Sequence, residues 1–408
     1  MYAYTAAEFA NLSAMPANPS HTGLTAQGWN WTLSAAQSYV SFYGVLEIGQ
    51  SYVTESGATE IFVDLVDPDL SPYLVLSVEG SVSVNWGDGS TPDTLTGSSL
   101  NTLLYLGHTY ASAGAYKISI SLVSGAYMLG RRNSTDAPGL LRGSDTNPGL
   151  YSQKYSSRVK EVRIGSGAQL GAGAFQYCTG LRSISIPVGL TGFGGAESAF
   201  YYCDSLKHVT IPSGVAQIGA GNINVFLACR GLESVSIPES VTTIMGRAFS
   251  SCGALKYITL PTNLTNLPDG AFANCGFERF VVPRRVSQFG VTTTPSTGVF
   301  YYCRGLRSFD IPLSWSTEMI IGNSTFEQCV SLETLSFSSK LTTIGSRAFY
   351  GCSSMREYHF QSTEPPTLGA NAFQSIPASC KIYVPSASVN TYKTAANWST
   401  YANQIFGE

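Results

Sequence analysis

The stretch Ala199-Phe200-Tyr201-Tyr202-Cys203-Asp204-Ser205-Leu206-Lys207-His208-Val209-Thr210-Ile211-Pro212-Ser213-Gly214-Val215-Ala216-Gln217-Ile218-Gly219 recurs, with changes, along the C-terminal two-thirds of this 408-residue chain. Cysteines at Cys178, Cys203, Cys229, Cys252, Cys275, Cys303, Cys329 and Cys352 keep one register, with a mean spacing of about 25 residues. In Leu206 to Pro212 the apolar alternation places Val209 and Ile211 on one face of a short strand. The intervening positions point outward, and Pro212 ends the ladder. The Val215 to Gly219 segment returns the chain across the other side, with Gly at the turn and Phe and Cys filling the interior. One such coil cannot bury its own apolar side, whereas a stack of about eight buries a continuous core, so the period predicts a mainly β solenoid.

In-register thiols invite a reading as metal ligands or disulfides, because strand neighbours on successive coils lie only about 4.8 Å apart. No Cys-x-x-Cys pair and no His at ligand spacing accompanies them, so buried packing thiols are expected, with no cofactor and no metal. The Ala-Phe-x-x-Cys-x-x-Leu-x-x-Ile-x-Ile-Pro unit resembles the BspA-like class of bacterial surface leucine-rich repeats over roughly residues 158–385. The resemblance extends to Ile382-Tyr383-Val384-Pro385 and to a closing helix within 386–408. In that helix Val389, Tyr392, Ala395 or Ala396 and Trp398 repeat at three to four residues and would cover the last coil. Two departures, Val291–Gly298 and Leu313–Ile321, read as recognition loops or as drift of the repeat.

Upstream, strands are expected at 61–66, 73–78, 81–86, 103–106 and 116–122. The Val84-Asn85-Trp86-Gly87-Asp88-Gly89-Ser90 run, followed by His108-Thr109-Tyr110 and by Gly114 and Tyr116, resembles the PKD module, which implies an immunoglobulin-like β-sandwich over 58–125. Asp88 between two glycines suits a hairpin turn better than a cation site, and His108 and Tyr110 read as interior hydrogen-bonding residues. Residues 126–157 are a Gly/Asn/Pro-rich connector containing Arg131-Arg132 and Gly143–Gly149. In the 1–57 leader, Thr5-x-x-Glu8 forms a capping box, and Ser34–Tyr43 reads as a helix ended by Gly44. The runs His21–Trp31 and Leu46–Thr54 resemble leaders of phage or prophage proteins of gut bacteria, which implies attachment of residues 1–60 to a larger virion assembly.

Charged residues make up 12% of the chain, against roughly a quarter in an average protein, and the net charge is −3 without basic clusters. Nucleic acid and anionic membrane surfaces are therefore poor partners. No stretch approaches the roughly 18 apolar residues of a membrane span, and the first residues show no export signal, so the chain is expected in mature form or by another route. Four histidines and no Gly-x-Ser-x-Gly, His-Glu-x-x-His or phosphate loop leave no catalytic residues to nominate, so the chain is not read as an enzyme. The outward strand positions His208, Thr210, Tyr257, Thr259, Arg279, Asp310, Glu357 and His359 mix aromatic, hydroxyl and charged groups and are the candidate ligand-binding residues. Together these features predict an extracellular recognition protein that binds a host or bacterial surface glycan or protein. It would act as a phage tail component or as a bacterial adhesin, with a ligand-free spacer or decoration protein as the structural alternative.

Overall fold

The computed structural model describes residues 4–43, 45–67, 69–130, 139–143, 152–193, 198–219, 224–293, 297–311 and 317–408. The chain forms two compact units, residues 1–241 and 242–408. Gly44, half of the expected connector (131–138 and 144–151), and parts of both departures, 294–296 and 313–316, lie outside the described residues.

The first unit opens with helix α1 (Ala6–Ala10), closed by the expected reciprocal cap between Thr5 and Glu8. Strand β1 (Leu24–Trp29) pairs antiparallel with β2 (Gln50–Thr54), and helix α2 (Leu33–Tyr43) runs between them. Ala36, Tyr39 and Val40, spaced three to four residues on one face of α2, pack with Phe9 and Trp31 into a small separate core.

Four longer strands follow: β3 (Thr59–Leu65), β4 (Tyr73–Asn85), β5 (Asp93–Gly107) and β6 (Gly114–Leu129). The expected strands at 73–78 and 81–86 are thus two halves of one. Gly80 and Gly125 face each other across β4 and β6, both at positive φ (105° and 75°). A Cβ on Gly80 would lie 2.2 Å from the Ser124 carbonyl, so the missing side chains let the two strands cross closely and continue where the sequence suggested a break. The expected two-sheet sandwich is also revised. The order Ser183–Ser185, Val159–Arg163, β3, β6, β4, β5 is one hydrogen-bonded sheet, and Val159–Arg163 pairs antiparallel with β3 on one side and parallel with Ser183–Ser185 on the other. An open edge of β3 would leave backbone groups unpaired, and the strand entering the coils pairs it.

Both units contain the coils. In the first, Phe175, Phe200 and Phe226 stack at 5.2 and 5.0 Å, and His208–Thr210 pairs parallel with Ser234–Ser236. In the second, Phe249, Phe272, Phe300, Phe326, Phe349 and Phe373 stack 5.3–5.8 Å apart and within 13° of parallel. Phe373 adds a turn beyond the last in-register cysteine. Ile321, Ile344 and Leu368 are buried on return strands of a five-stranded parallel sheet in the second unit. Each Phe is followed two residues later by a left-handed residue: Tyr177, Tyr202 and Ala228 in the first unit, and Ser251, Asn274, Tyr302, Gln328, Gly351 and Ser375 in the second. That conformation costs an L-residue roughly 1–2 kcal/mol. It is sustained because the amide it turns outward donates to the next coil, as from Tyr177 to Tyr201 O at 2.8 Å and from Tyr302 to Glu327 O at 2.9 Å.

The closing segment is not one helix. Helix Val389–Thr394 stops at Ala395, Asn397 takes a left-handed conformation, a 3-10 stretch covers Trp398–Gln404, and Ile405–Gly407 forms a strand parallel to Lys381–Val384. The sequence's apolar spacing still selects the right covering residues, Tyr392 and Trp398, both buried. What breaks the helix is the need of the last coil's carbonyls for donors. Tyr392 Oη donates to Ser362 O (2.9 Å), Asn397 Nδ2 to Leu368 O (2.6 Å), Trp398 Nε1 to Pro366 O (2.8 Å), and Gln404 Nε2 to Pro377 O and Cys380 O (3.0 Å each).

Candidate functional site

Coil strands alternate inward and outward residues, so the variable outward positions form the candidate surface. In the first unit that surface is occupied by the leader. Asn30, buried at the end of β1, donates through Nδ2 to Ile211 O (3.1 Å), Ser236 O (3.2 Å) and Ser236 Oγ (2.9 Å), while its Oδ1 accepts from Gly49 N (2.8 Å). Trp31 Nε1 donates to Ile237 O (2.9 Å), Ser236 Oγ to Glu47 O (3.0 Å), and Ser185 Oγ to Tyr52 O (3.1 Å). A Cβ on Gly49 would lie 2.3 Å from Thr210 Oγ1, so glycine is what allows the leader to sit this close. Thr210, expected to be a ligand contact, thus faces the chain's own backbone, and His208 is exposed with Nδ1 2.8 Å from Ser234 Oγ.

In the second unit the predicted residues separate into three groups. Tyr257 is 54% exposed, whereas Thr259, expected outward, is buried at 5%. Here no strand is formed, so the strict alternation that would turn Thr259 outward is not enforced. Arg279 and Asp310 pair with each other, Nε to Oδ2 at 2.6 Å, across strands Arg279–Val281 and Ser308–Asp310. Glu357 and His359 lie on one strand and belong to a larger cluster: His359 Nδ1 is 2.8 Å from Glu408 Oε2, and Nε2 is 3.4 Å from Glu357 Oε2.

Register extends that cluster into a row. Ser336, His359, Tyr383 and Phe406 are outward partners on four successive parallel strands. The His359 and Tyr383 rings stack at 4.9 Å and 18°, Tyr383 and Phe406 are 6.3 Å apart, and Phe406 is 43% exposed. Lys381, in the neighbouring row with Thr334 and Glu357, has Nζ about 6 Å from both rings. Tyr383, Lys381, Phe406 and Glu408 were missed. Tyr383 was legible, because Lys381-Ile382-Tyr383-Val384-Pro385 matches the strand template. Phe406 was hidden by reading 405–407 as the end of a helix.

The cysteines do different work. All nine are free and buried, and Cys203, Cys229, Cys275, Cys303, Cys329 and Cys352 donate through Sγ to the phenylalanine carbonyl of the preceding coil at 3.0–3.2 Å. Burial raises the Cys178 and Cys303 thiols to about 12 and holds Cys203, Cys275 and Cys329 well above the ordinary range. These five thiols are therefore neutral within the core, far from the thiolate state that chemistry at sulfur needs. Among the described residues no three His, Cys, Asp or Glu are placed to share a metal ion, and no helix is long and apolar enough to cross a membrane.

Asp88 sits in a turn, where Oδ1 accepts from Ser90 N (3.0 Å) and Ser90 Oγ (2.6 Å), and Oδ2 lies 2.7 Å from His108 Nε2. These donors hold the Asp88 carboxyl well below the usual carboxylate range, hydrogen bonding from Ser90 contributing most. The His108 ring lies flat on Trp86 at 4.6 Å, and Tyr110 Oη donates to Trp86 O at 3.0 Å. His108 and Tyr110 thus act as structural partners of the turn.

Comparison with known proteins bears on the coils. Residues 168–294, 221–317 and 293–403 match the profile described as "BspA type Leucine rich repeat region". Among solved structures, a Treponema pallidum leucine-rich repeat protein is 27% identical with a TM-score of 0.29; the match covers 41% of this chain and 62% of that one, so this chain spans less than two thirds of its length. A leucine-rich cell surface protein of Faecalibacterium prausnitzii (19% identity, TM-score 0.28, 62% and 73% covered) is similar as well. So is a leucine-rich repeat protein of Bacteroides ovatus (21%, 0.27, 71% and 97%). No curated protein matches the sequence.

Proposed function

Because this chain belongs to the BspA-type leucine-rich repeat family, we propose that it is a non-enzymatic recognition protein of a bacterial cell surface, using the outward strand face at the C-terminal end of its coils. The observation carrying this reading is the row His359, Tyr383, Phe406. A coil needs apolar residues inward, yet here aromatic rings stand outward on adjacent strands, bordered by Glu357, Lys381 and Glu408. Aromatic faces beside mixed charges suit a surface glycan or a polar protein surface. Adhesion is favoured over virion attachment because Asn30, Trp31, Glu47 and Tyr52 of the leader, which would contact an assembly, are engaged on the chain's own strand face.

The test is adsorption of the purified chain to intact candidate cells, comparing wild type with Tyr383→Ser and Phe406→Ser after matching their circular dichroism. Loss of adsorption in both variants supports the reading. Equal adsorption removes this face from consideration, and absence of adsorption by every form supports a spacer or decoration role.

A further inference from the structure

A second aromatic cluster lies on the coil turns of the first unit, away from the strand face. The Tyr177 and Tyr202 rings, on adjacent coils, stack at 5.5 Å and 17°, and Tyr201 leans on Tyr202 at 4.4 Å. The Arg230 guanidinium covers Tyr202 at 4.8 Å and bonds both Asp204 oxygens at 3.1 and 3.3 Å. All three tyrosines are partly exposed, as are the Arg230 and Asp204 side chains.

The backbone does not ask for tyrosine here. Tyr177 and Tyr202 occupy the left-handed position that Tyr302 takes in the second unit and that the other coils fill with Ala228, Ser251, Asn274, Gln328, Gly351 or Ser375. Its inter-coil bond forms without any side chain, as Gly351 N to Gln374 O at 2.9 Å shows. The backbone bond therefore accounts for none of the ring, whose contacts are with the neighbouring tyrosines and Arg230. We propose that Tyr177, Tyr201 and Tyr202, with Arg230 and Asp204, form a saccharide-binding subsite that takes an uncharged hexopyranose chain.

The chemistry fits that ligand class. Aromatic surface packs against the C–H face of a sugar ring, while phenol hydroxyls, the Asp204 carboxylate and the Arg230 N–H groups offer acceptors and donors for its hydroxyls. Arg230 is already neutralised by Asp204, so the cluster has no spare charge to recruit an ion.

The full chain is titrated calorimetrically with cellohexaose, maltohexaose and mannohexaose. Tyr177→Ser, Tyr202→Gly and, as a control at a 63% exposed side chain on β6, Val123→Ser are compared with wild type, and each Tm is recorded. The first two variants install residues that other coils carry at this position, so folding is preserved. The expected result is binding of at least one hexasaccharide, weakened about tenfold or more by Tyr177→Ser and Tyr202→Gly with Tm level or raised, and unchanged by Val123→Ser. No hexasaccharide binding by wild type overturns the proposal. So does binding that survives both tyrosine changes, or that falls equally with Val123→Ser.

Discussion

The strand faces of the two units share a repeat but differ in what lies outside them. In the first unit Ser236 is 2% exposed under Asn30 and Glu47, and Thr210 meets Gly49; in the second, Phe406 is 43% exposed in a row of aromatic residues. The interiors are alike, each a stack of phenylalanines with cysteine thiols bonded to carbonyls. The repeat therefore dictates the inside of a coil, while other parts of the chain decide whether its outside is available to a partner. A row of outward residues is only a candidate until it is known what covers it.

The largest expected effect tests the shared interior. Phe300 is fully buried between Phe272 and Phe326, so Phe300→Ala should destabilise the chain by about 3–5 kcal/mol in chemical denaturation. A change below about 1 kcal/mol would mean that the aromatic stack contributes little. Next, Asn30→Ala breaks the cover on the first face. It leaves Gly49 N–H and the Ile211 carbonyl without this partner, while Ser236 O keeps its bond from Ile211 N, at about 1–3 kcal/mol for each group left unsatisfied. Amide exchange at 208–211 and 234–237 should accelerate, and unchanged exchange there would show that Asn30 does not hold the leader down.

A smaller effect concerns pH in the region before the coils. The folded Asp88 carboxyl lies below its unfolded value, so the unfolded chain binds its proton more readily. Its contribution is full above the unfolded carboxylate pKa of about 3.9 and is lost as pH falls toward the folded value. Asp88→Asn should flatten the acid limb of the stability curve, and a limb identical to wild type would refute the role of Ser90 and His108 in holding the charge. The smallest stability effect is expected at the open face: Phe406→Ser should stay within about 0.5 kcal/mol of wild type while reducing adsorption. A large loss of stability would reclassify Phe406 as part of the fold.

The region before the coils was legible mainly as strands. The spacing of β-branched residues located the material of β3, β4 and β6, but not the continuation of β4 through Gly80, because that depends on Gly125 opposite, 45 residues away. The candidate site was legible to a similar degree. Glu357 and His359 followed from the strand template, whereas their neighbours Phe406 and Glu408 depend on a final strand that no local pattern marks.

By itself the sequence determined the coil: a period near 25 residues fixes which apolar side chains are buried, since the same few offsets must fill the same cross-section at every turn. It also determined that Tyr392 and Trp398 cover the last coil, because apolar spacing reports a covering face even where the helix carrying it is broken. Only the tertiary structure decided that Asn30 and Gly49 cover one strand face, that Ile405–Gly407 adds a rung to the other, and that Val159–Arg163 joins the coils to the upstream sheet. Each of these is a set of backbone or side-chain hydrogen bonds between segments distant in the chain, satisfied by position in space and invisible to any local pattern.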